Sequence, residues 1–470
     1  MVNIIVQLSK YLMILMITVY TYLCFSIFGY YDPDKKKQCL RKQNVLMFVM
    51  HLTAFLVMYL EKKDTKILAL YLMQVTLLGG TILLYSFIYP KVSRLVVNNM
   101  CMLLSIGFIM ITRLNYDKAA KQYLIAAAGI VLCLVIPIII RKVRFLSEWR
   151  ILYGIVGIVS LAVVVVVGRV SYGAMLGFTV AGINIQPSEL VKLAFVLAGA
   201  ATLDRLFAKR NLIFTVLFSA YCVGCLALMS DFGTALVFFV AFLCIAFLRT
   251  GDLASIVMMT AAAGFAGGLV LHFKPYVAQR FTVWRHAWEF TQTTGYQQSR
   301  TMSAAASGGL FGTGPEDAWL KYVGAANTDL VFGVVSEEFG LLLALVCVGA
   351  VMALAVFALR SGDSARSGFY AIAACAAASM LIFQTTLNVL GAVDILPLTG
   401  VTFPFVSMGG SSMLSCWGLL AYLKAADVRL PPEEKSPEDK PEKPAPKREG
   451  FFEDMPEIPV DEIFGKEGRS

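Results

Sequence analysis

Apolar residues gather into long runs separated by short polar stretches, at roughly 8–31, 44–61, 66–89, 96–113, 121–140, 149–168, 188–207, 212–229, 232–249, 253–272, 330–359, 367–391 and 405–424. At about 1.5 Å rise per residue each is long enough to cross a hydrocarbon core of roughly 30 Å, so the pattern predicts thirteen helical spans. A transmembrane β-barrel is excluded, because its segments alternate apolar and polar residues over about ten positions. Composition agrees: 58% of the 470 residues are hydrophobic, only 15% are charged, and the mean hydropathy is +0.72. The expected fold class is all-α, a polytopic transmembrane helical bundle.

Orientation follows from the basic residues. The segments Lys35 to Lys42, Arg141 to Arg144, Arg205 to Arg210 and Arg360 to Arg366 fall on alternate loops of one side, which the positive-inside rule makes cytoplasmic. Lys62, Lys63 and Lys66 on the other side weaken the contrast. With thirteen spans the C-terminus is then expected to be cytoplasmic. The first run is longer than the apolar part of a signal peptide and lacks a clear cleavage site, so it reads as a retained span.

Two loops on the outer side are candidates for function. The larger, 273–328, is too long for a connector and interleaves Phe281, Trp284, Trp288, Phe290 and Tyr296 with Arg280, Arg285 and Arg300. The smaller, about 169–186, is rich in glycine. From Pro431 onward the chain changes to proline, glutamate and lysine, with twelve acids against seven bases, and is expected to be a disordered acidic tail. The remainder is therefore more basic than the overall charge of +9 suggests, although nothing in the distribution points to a nucleic-acid partner. Phe451-Phe452-Glu453-Asp454-Met455-Pro456-Glu457-Ile458 in the tail is a candidate docking motif, plain disorder being the alternative. Cys222-Val223-Gly224-Cys225 sits inside an apolar run and reads as packing; with three histidines in all, a histidine-rich metal site is not expected.

Carboxylates stand where lipid should forbid them. Asp329 closes the larger loop just before an apolar run expected to continue as one helix, and Glu337 and Glu338 follow inside it. An acid at the centre of a bilayer helix costs about 2.5–3.5 kcal/mol, so such groups pair, neutralise or face water. On a continuous helix Glu337 would lie about 12 Å deeper than Asp329 and about 80° around, so that both would line one cavity. Gln186-Pro187-Ser188-Glu189-Leu190-Val191-Lys192 opens another span; Glu189 and Lys192 share a face, either as a structural ion pair or as part of a site. Asp231 suits a helix cap, with a catalytic role as the alternative. Gly308 to Gly314 is glycine-rich without the Gly-Lys-Ser/Thr of a phosphate loop. Leu396 to Ser412 carries prolines, glycines and serines at membrane depth and is expected to be non-helical, which is tolerated only in buried or wet surroundings. Acids, cations and broken segments on one face suit an anionic amphiphile whose head is processed there.

At these motifs the chain resembles the shape, elongation, division and sporulation family, the FtsW/RodA/SpoVE group. The matching pieces are Gln186-Pro187-Ser188-Glu189 with Lys192, Asp231-Phe232-Gly233-Thr234, Gly295-Tyr296-Gln297, Ser307-Gly308-Gly309-Leu310, Asn327-Thr328-Asp329 with Glu337-Glu338, and Asn388-Val389 through Pro397, Thr399-Gly400, Pro404-Phe405 and Gly409-Gly410-Ser411-Ser412. Such proteins have ten spans. The resemblance therefore implies a core at 93–426, an N-terminal addition of about three spans at 1–92, and a tail at 427–470.

The resemblance further implies a peptidoglycan glycosyltransferase that polymerises lipid II beside a class B penicillin-binding transpeptidase, with other cell-wall proteins reached through the tail. Asp329 matches the family's essential aspartate, and Glu189 and Lys192 its functional pair. Candidate substrate-binding residues are Glu189, Lys192, Arg280, Arg285, Gln297, Ser411 and Ser412. A positioned carboxylate is the usual base for activating a sugar hydroxyl, and the pyrophosphate leaving group needs charge neutralisation, by Lys192, Arg280 and Arg285 or by a divalent cation such as Mg or Mn. No other cofactor is implied. Two departures stand out: Asn327 replaces a frequent histidine, and Gly173-Ala174-Met175-Leu176-Gly177 lacks two arginines common in the family. The competing readings are a lipid-linked precursor flippase and a noncatalytic division scaffold.

Overall fold

The computed structural model describes residues 2–425 apart from 91–92, 143–148, 172–173, 181–182, 205–208, 274–277, 279–280, 315–316 and 364–367. The expected tail with its Phe451-Phe452 motif, and Arg280, lie outside the described residues. Thirteen apolar runs become helices α1 (Val2–Ser26), α2 (Pro33–Lys62), α3 (Thr65–Ile88), α4 (Arg94–Leu114), α5 (Tyr116–Lys142), α6 (Arg150–Val167), α7 (Pro187–Asp204), α8 (Lys209–Leu228), α9 (Phe232–Thr250), α10 (Leu253–Phe273), α12 (Val331–Phe339) with α13 (Leu341–Asp363), α14 (Gly368–Ala392) and α15 (Gly410–Ala425). The larger loop adds α11 (Tyr296–Gly308). Nine of the helices among the described residues are long and apolar enough to cross a membrane, and two shorter apolar ones, Ile213–Leu228 and Leu253–Gly268, accompany them.

Caps and turns follow local chemistry. Asp32 accepts from the backbone of Asp34 to open α2 at Pro33, Asp64 accepts from Lys66 to open α3, and Asp231 accepts from Thr234 to open α9. The capping reading of Asp231 holds. The smaller loop departs from the purely helical expectation: strands Arg169–Ser171, Ala174–Val180 and Ile183–Ile185 form an antiparallel meander in that order, with Phe178 opposite Ile185.

Helix α4 is the axis of the bundle, and its apolar window is buried throughout. The helices before it supply part of that cover through polar contacts. Asn99 Oδ1 accepts from Tyr20 Oη at 3.1 Å, Asn98 Nδ2 donates to Gln43 Oε1 at 3.1 Å, and His51 Nδ1 lies 2.8 Å from Ser105 Oγ. Interhelical hydrogen bonds of this kind contribute on average about 0.6 kcal/mol each in a membrane bundle, enough to fix register among otherwise interchangeable apolar faces. Helices α1–α3 belong to the same compact unit as the rest of the described chain.

The expected single span at 330–359 is two helices. Gly340, at φ +88° and ψ 163°, ends α12 after nine residues, and a Cβ there would collide with the carbonyl oxygen of Leu310. The orphan backbone groups at the break are satisfied by a strap of the larger loop. Thr313 and Gly314 donate to the carbonyls of Glu337 and Glu338 at 2.9 and 3.1 Å, and Leu341 donates to Gly309 at 2.9 Å.

Residues 393–409 are non-helical, as expected from their prolines and glycines. Their carbonyls are held by two side chains one turn apart on α14: Asn388 donates to Val401 at 2.7 Å and Gln384 donates to Thr402 at 3.0 Å. The segment presses on α4 where Gly107 leaves room for the backbone of Phe405 and Val406.

Candidate active site

Asp329 lies at the meeting of three elements. Its own carbonyl accepts from Asn388 Nδ2 at 2.8 Å, the carbonyl of Thr328 accepts from Ser407 Oγ, and the carbonyl of Asn327 accepts from the backbone of Met408 at 2.8 Å. These bonds bind the end of the larger loop to α14 and to the non-helical segment. The Asp329 side chain is half-buried, and its carboxylate faces Gly400, where an added Cβ would stand 3.6 Å from Oδ2. Gly400 has φ +73°, a left-handed turn that brings bare backbone past the acid.

Glu337 and Glu338 do not share a cavity with Asp329. Glu337 is fully buried, and its two oxygens accept from the backbone of Trp319 and Leu320 at 2.9 and 3.0 Å, capping a short 3-10 turn in the loop. Glu338 Oε2 sits 2.6 Å from Arg113 Nε at the end of α4. The contact is a charge pair whose N–H is not aimed along a hydrogen bond. Both acids do share one helix after Asp329, as the periodicity predicts; the strap laid across the break at Gly340 closes them into a separate junction.

The second polar cluster runs through the bundle. Lys192 Nζ donates to both oxygens of Glu189 at 2.9 and 2.8 Å and to Gln384 Oε1 at 3.0 Å, so all three ammonium hydrogens are engaged. Gln384 Nε2 continues to Thr402, whose Oγ1 is 2.6 Å from Ser412 Oγ. Ser411 Oγ accepts from the backbone of Gln186 at 3.1 Å, and Gln186 Nε2 reaches Asp231 at 3.4 Å. Glu189, Lys192, Ser411 and Ser412 thus come together, and Thr402 and Gly400 of one segment connect this cluster to Asp329.

The loop residues stand apart from that chain. Arg285 is exposed, its guanidinium 5.3 Å from the Trp284 ring, while its backbone N–H donates to Asp394 at 3.1 Å. Gln297 Nε2 donates to the carbonyl of Gly324 at 3.2 Å and holds the loop itself. Gln298 carries the docking, donating to Asp394 at 2.9 Å and to Gly391 at 3.1 Å. Sequence reasoning missed Gln384, Gln298, Arg113 and Lys118, whose Nζ reaches Asn327 Oδ1 at 3.3 Å. For Gln384 a signal existed, an amide within an apolar run one turn before Asn388. Among the described residues no group of three or more His, Cys, Asp and Glu side chains is arranged to hold a metal ion, and Cys222 and Cys225 are buried free thiols.

The fold and site define a multi-pass helical membrane protein with a half-buried acid, an internal ion pair and an irregular segment gathered beside a large ordered loop. Residues 93–430 match the family model of the FtsW/RodA/SpoVE cell cycle proteins, and the chain belongs to that family. It is 28% identical over 364 residues to the peptidoglycan glycosyltransferase RodA of Mycobacterium leprae, covering 71% of this chain and 77% of the relative. It is 34% identical over 293 residues to a probable peptidoglycan glycosyltransferase FtsW of Tolumonas auensis, covering 60% and 76%. Among solved structures it is similar in fold to a chain of a peptidoglycan synthase complex that coordinates polymerization and crosslinking, with a TM-score of 0.60, 23% identity and coverage of 72% and 98%. The RodA rod-shape protein of Thermus thermophilus gives a TM-score of 0.55 at 22% identity, covering 72% and 97%. Helices α1–α3 lie before the matched region.

Proposed function

We infer that this protein is a peptidoglycan glycosyltransferase that polymerises lipid II at the outer face of the cytoplasmic membrane, with Asp329 as the general base. The observation that carries the reading is the half-buried Asp329 carboxylate facing the bare backbone of Gly400 where the large loop, α14 and the non-helical segment meet. In the reaction the acceptor sugar's 4-hydroxyl attacks the donor's anomeric carbon. The O4–C1 bond forms as the bond from C1 to the pyrophosphate oxygen breaks, the electron pair leaves with the lipid pyrophosphate, and the hydroxyl proton passes to Asp329. An α-linked donor and a β-linked product require a single inverting displacement.

The pyrophosphate needs positive charge rather than a proton donor. Arg285 is exposed on the loop and Lys118 stands beside Asn327, so both can meet an anion at this face. Lys192 is enclosed by Glu189 and Gln384, which supports a part in shaping the site from within. The engagement of Glu337 by backbone amides and of Glu338 by Arg113 supports an enzyme over a flippase, which needs unclaimed polar lining through the full depth. A transpeptidase of the class B penicillin-binding type is the expected partner, and the C-terminus is expected on the cytoplasmic side. The test is polymerisation of labelled lipid II by the purified full chain with that partner. Asp329→Asn is expected to lower the rate about 10²–10⁴-fold, and an undiminished rate would remove Asp329 from the role of base.

A further inference from the structure

We propose that the first helix, which lies outside the family-matched region, is a positioning element for the Asp329 carboxylate, acting through Lys10 and Tyr11 on the glycine strap at 308–314. The proposal rests on the reading of Asp329 above. Lys10 Nζ donates to the carbonyl of Gly312 at 3.0 Å, 302 residues away in the chain. The next residue packs its ring on the same strap, the centroids of Tyr11 and Phe311 being 5.6 Å apart. Lys10 is only 9% exposed, so its ammonium is placed where leaving it unpartnered would be costly. A cavity of about 10 Å³, lined in part by Ser9, Lys10, Met13, Arg113 and Glu338, adjoins Lys10, with room for about one water molecule.

What α1 grips is the seal of the break after α12. The strap donates from Thr313 and Gly314 to Glu337 and Glu338, accepts from Leu341, and tightens on itself through Gly312 N–H to Gly308 at 2.7 Å. It lies so close that a Cβ on Gly308 would strike the carbonyl oxygen of Ser336, and one on Gly312 that of Glu338. Helix α12 has nine residues, about 13 Å, and Asp329 immediately precedes its cap, Leu330. Its start is tethered by Asn388 at Asp329 and by Ser407 at Thr328. Its end is tethered by Glu337, Glu338 and the strap. A short helix held at both ends fixes the residue at its mouth, and releasing the far end frees α12 to tilt.

The experiment uses the full chain with its partner in nanodiscs, with labelled lipid II as the probe, comparing Lys10→Met, Lys10→Arg and the double variant Lys10→Met/Tyr11→Ala. Amide hydrogen exchange is followed at 308–314 and 339–342, with α9 as an internal reference, alongside kcat and KM. Lys10→Met is expected to raise exchange in the strap about tenfold and to lower kcat about threefold to tenfold with little change in KM, whereas Lys10→Arg retains both. Unchanged strap exchange in the double variant overturns the grip of α1. Exchange rising equally in α9 reduces Lys10 to a general structural role and also overturns it, as does a loosened strap with unchanged kcat. If the wild-type chain makes no glycan, the functional reading fails, while the exchange result still decides whether α1 holds the strap.

Discussion

Asp329 and Glu337 are eight residues apart and meet opposite fates. Glu337 is wholly buried with both oxygens filled by backbone amides, in a junction closed by the strap. Asp329 is half-buried, its backbone carbonyl is tied to α14 through Asn388, and its carboxylate faces the glycine turn at Gly400. On the proposed reading, the two ends of one short helix separate support from chemistry. A buried acid is permitted when its oxygens are fully claimed, and an acid able to take a proton from substrate needs an oxygen facing an approachable surface.

Variants sharpen this contrast in order of expected size. Lys192→Met leaves Glu189 buried without its cation, an arrangement that costs about 3–5 kcal/mol, and is expected to lower the midpoint of thermal inactivation and to abolish glycan synthesis. The double variant Glu189→Gln/Lys192→Met, which removes both charges, is expected to recover much of the stability. Equal instability of single and double variants would show that the ion pair is not what the cluster depends on. Gly340→Val forces a β-branched residue to φ +88° against the carbonyl of Leu310, and a loss of at least about 1–3 kcal/mol in stability is expected, read by the same thermal measurement. The smallest effect belongs to Arg285→Ala, which removes an exposed cation: KM for lipid II is expected to rise about twofold to fivefold at low salt and to converge with wild type as ionic strength increases. A rise independent of salt would assign Arg285 to the packing of Trp284 instead.

Much of this was legible in local pattern. The thirteen apolar runs became helices because backbone groups in lipid must be satisfied within their own segment. The irregular stretch after Asn388 announced itself through Pro397, Gly400 and Pro404, and the motif around Asp329 marked the candidate acid. The break at Gly340 did not show, because Val334, Val335, Phe339 and Leu341 carry the apolar pattern straight across it. Its stability comes from hydrogen bonds supplied by a strap about thirty residues earlier. Lys192 and Gln384 are likewise 192 residues apart, and Lys10 and Gly312 are 302 apart, pairings that no local period encodes. Hydropathy also marks Glu337 and Asp329 alike as misplaced acids; the full burial of Glu337 and its two backbone donors come from the fold.

The most direct measurement sets Asp329→Asn beside Glu337→Gln, recording labelled lipid II polymerisation and thermal stability for each with the proposed transpeptidase partner present. The account predicts that Asp329→Asn melts with wild type yet polymerises about 10²–10⁴-fold more slowly, while Glu337→Gln, with one acceptor for two backbone amides, melts earlier yet polymerises at permissive temperature. Glycan synthesis by Asp329→Asn at the wild-type rate, or its loss only in step with unfolding, would contradict it.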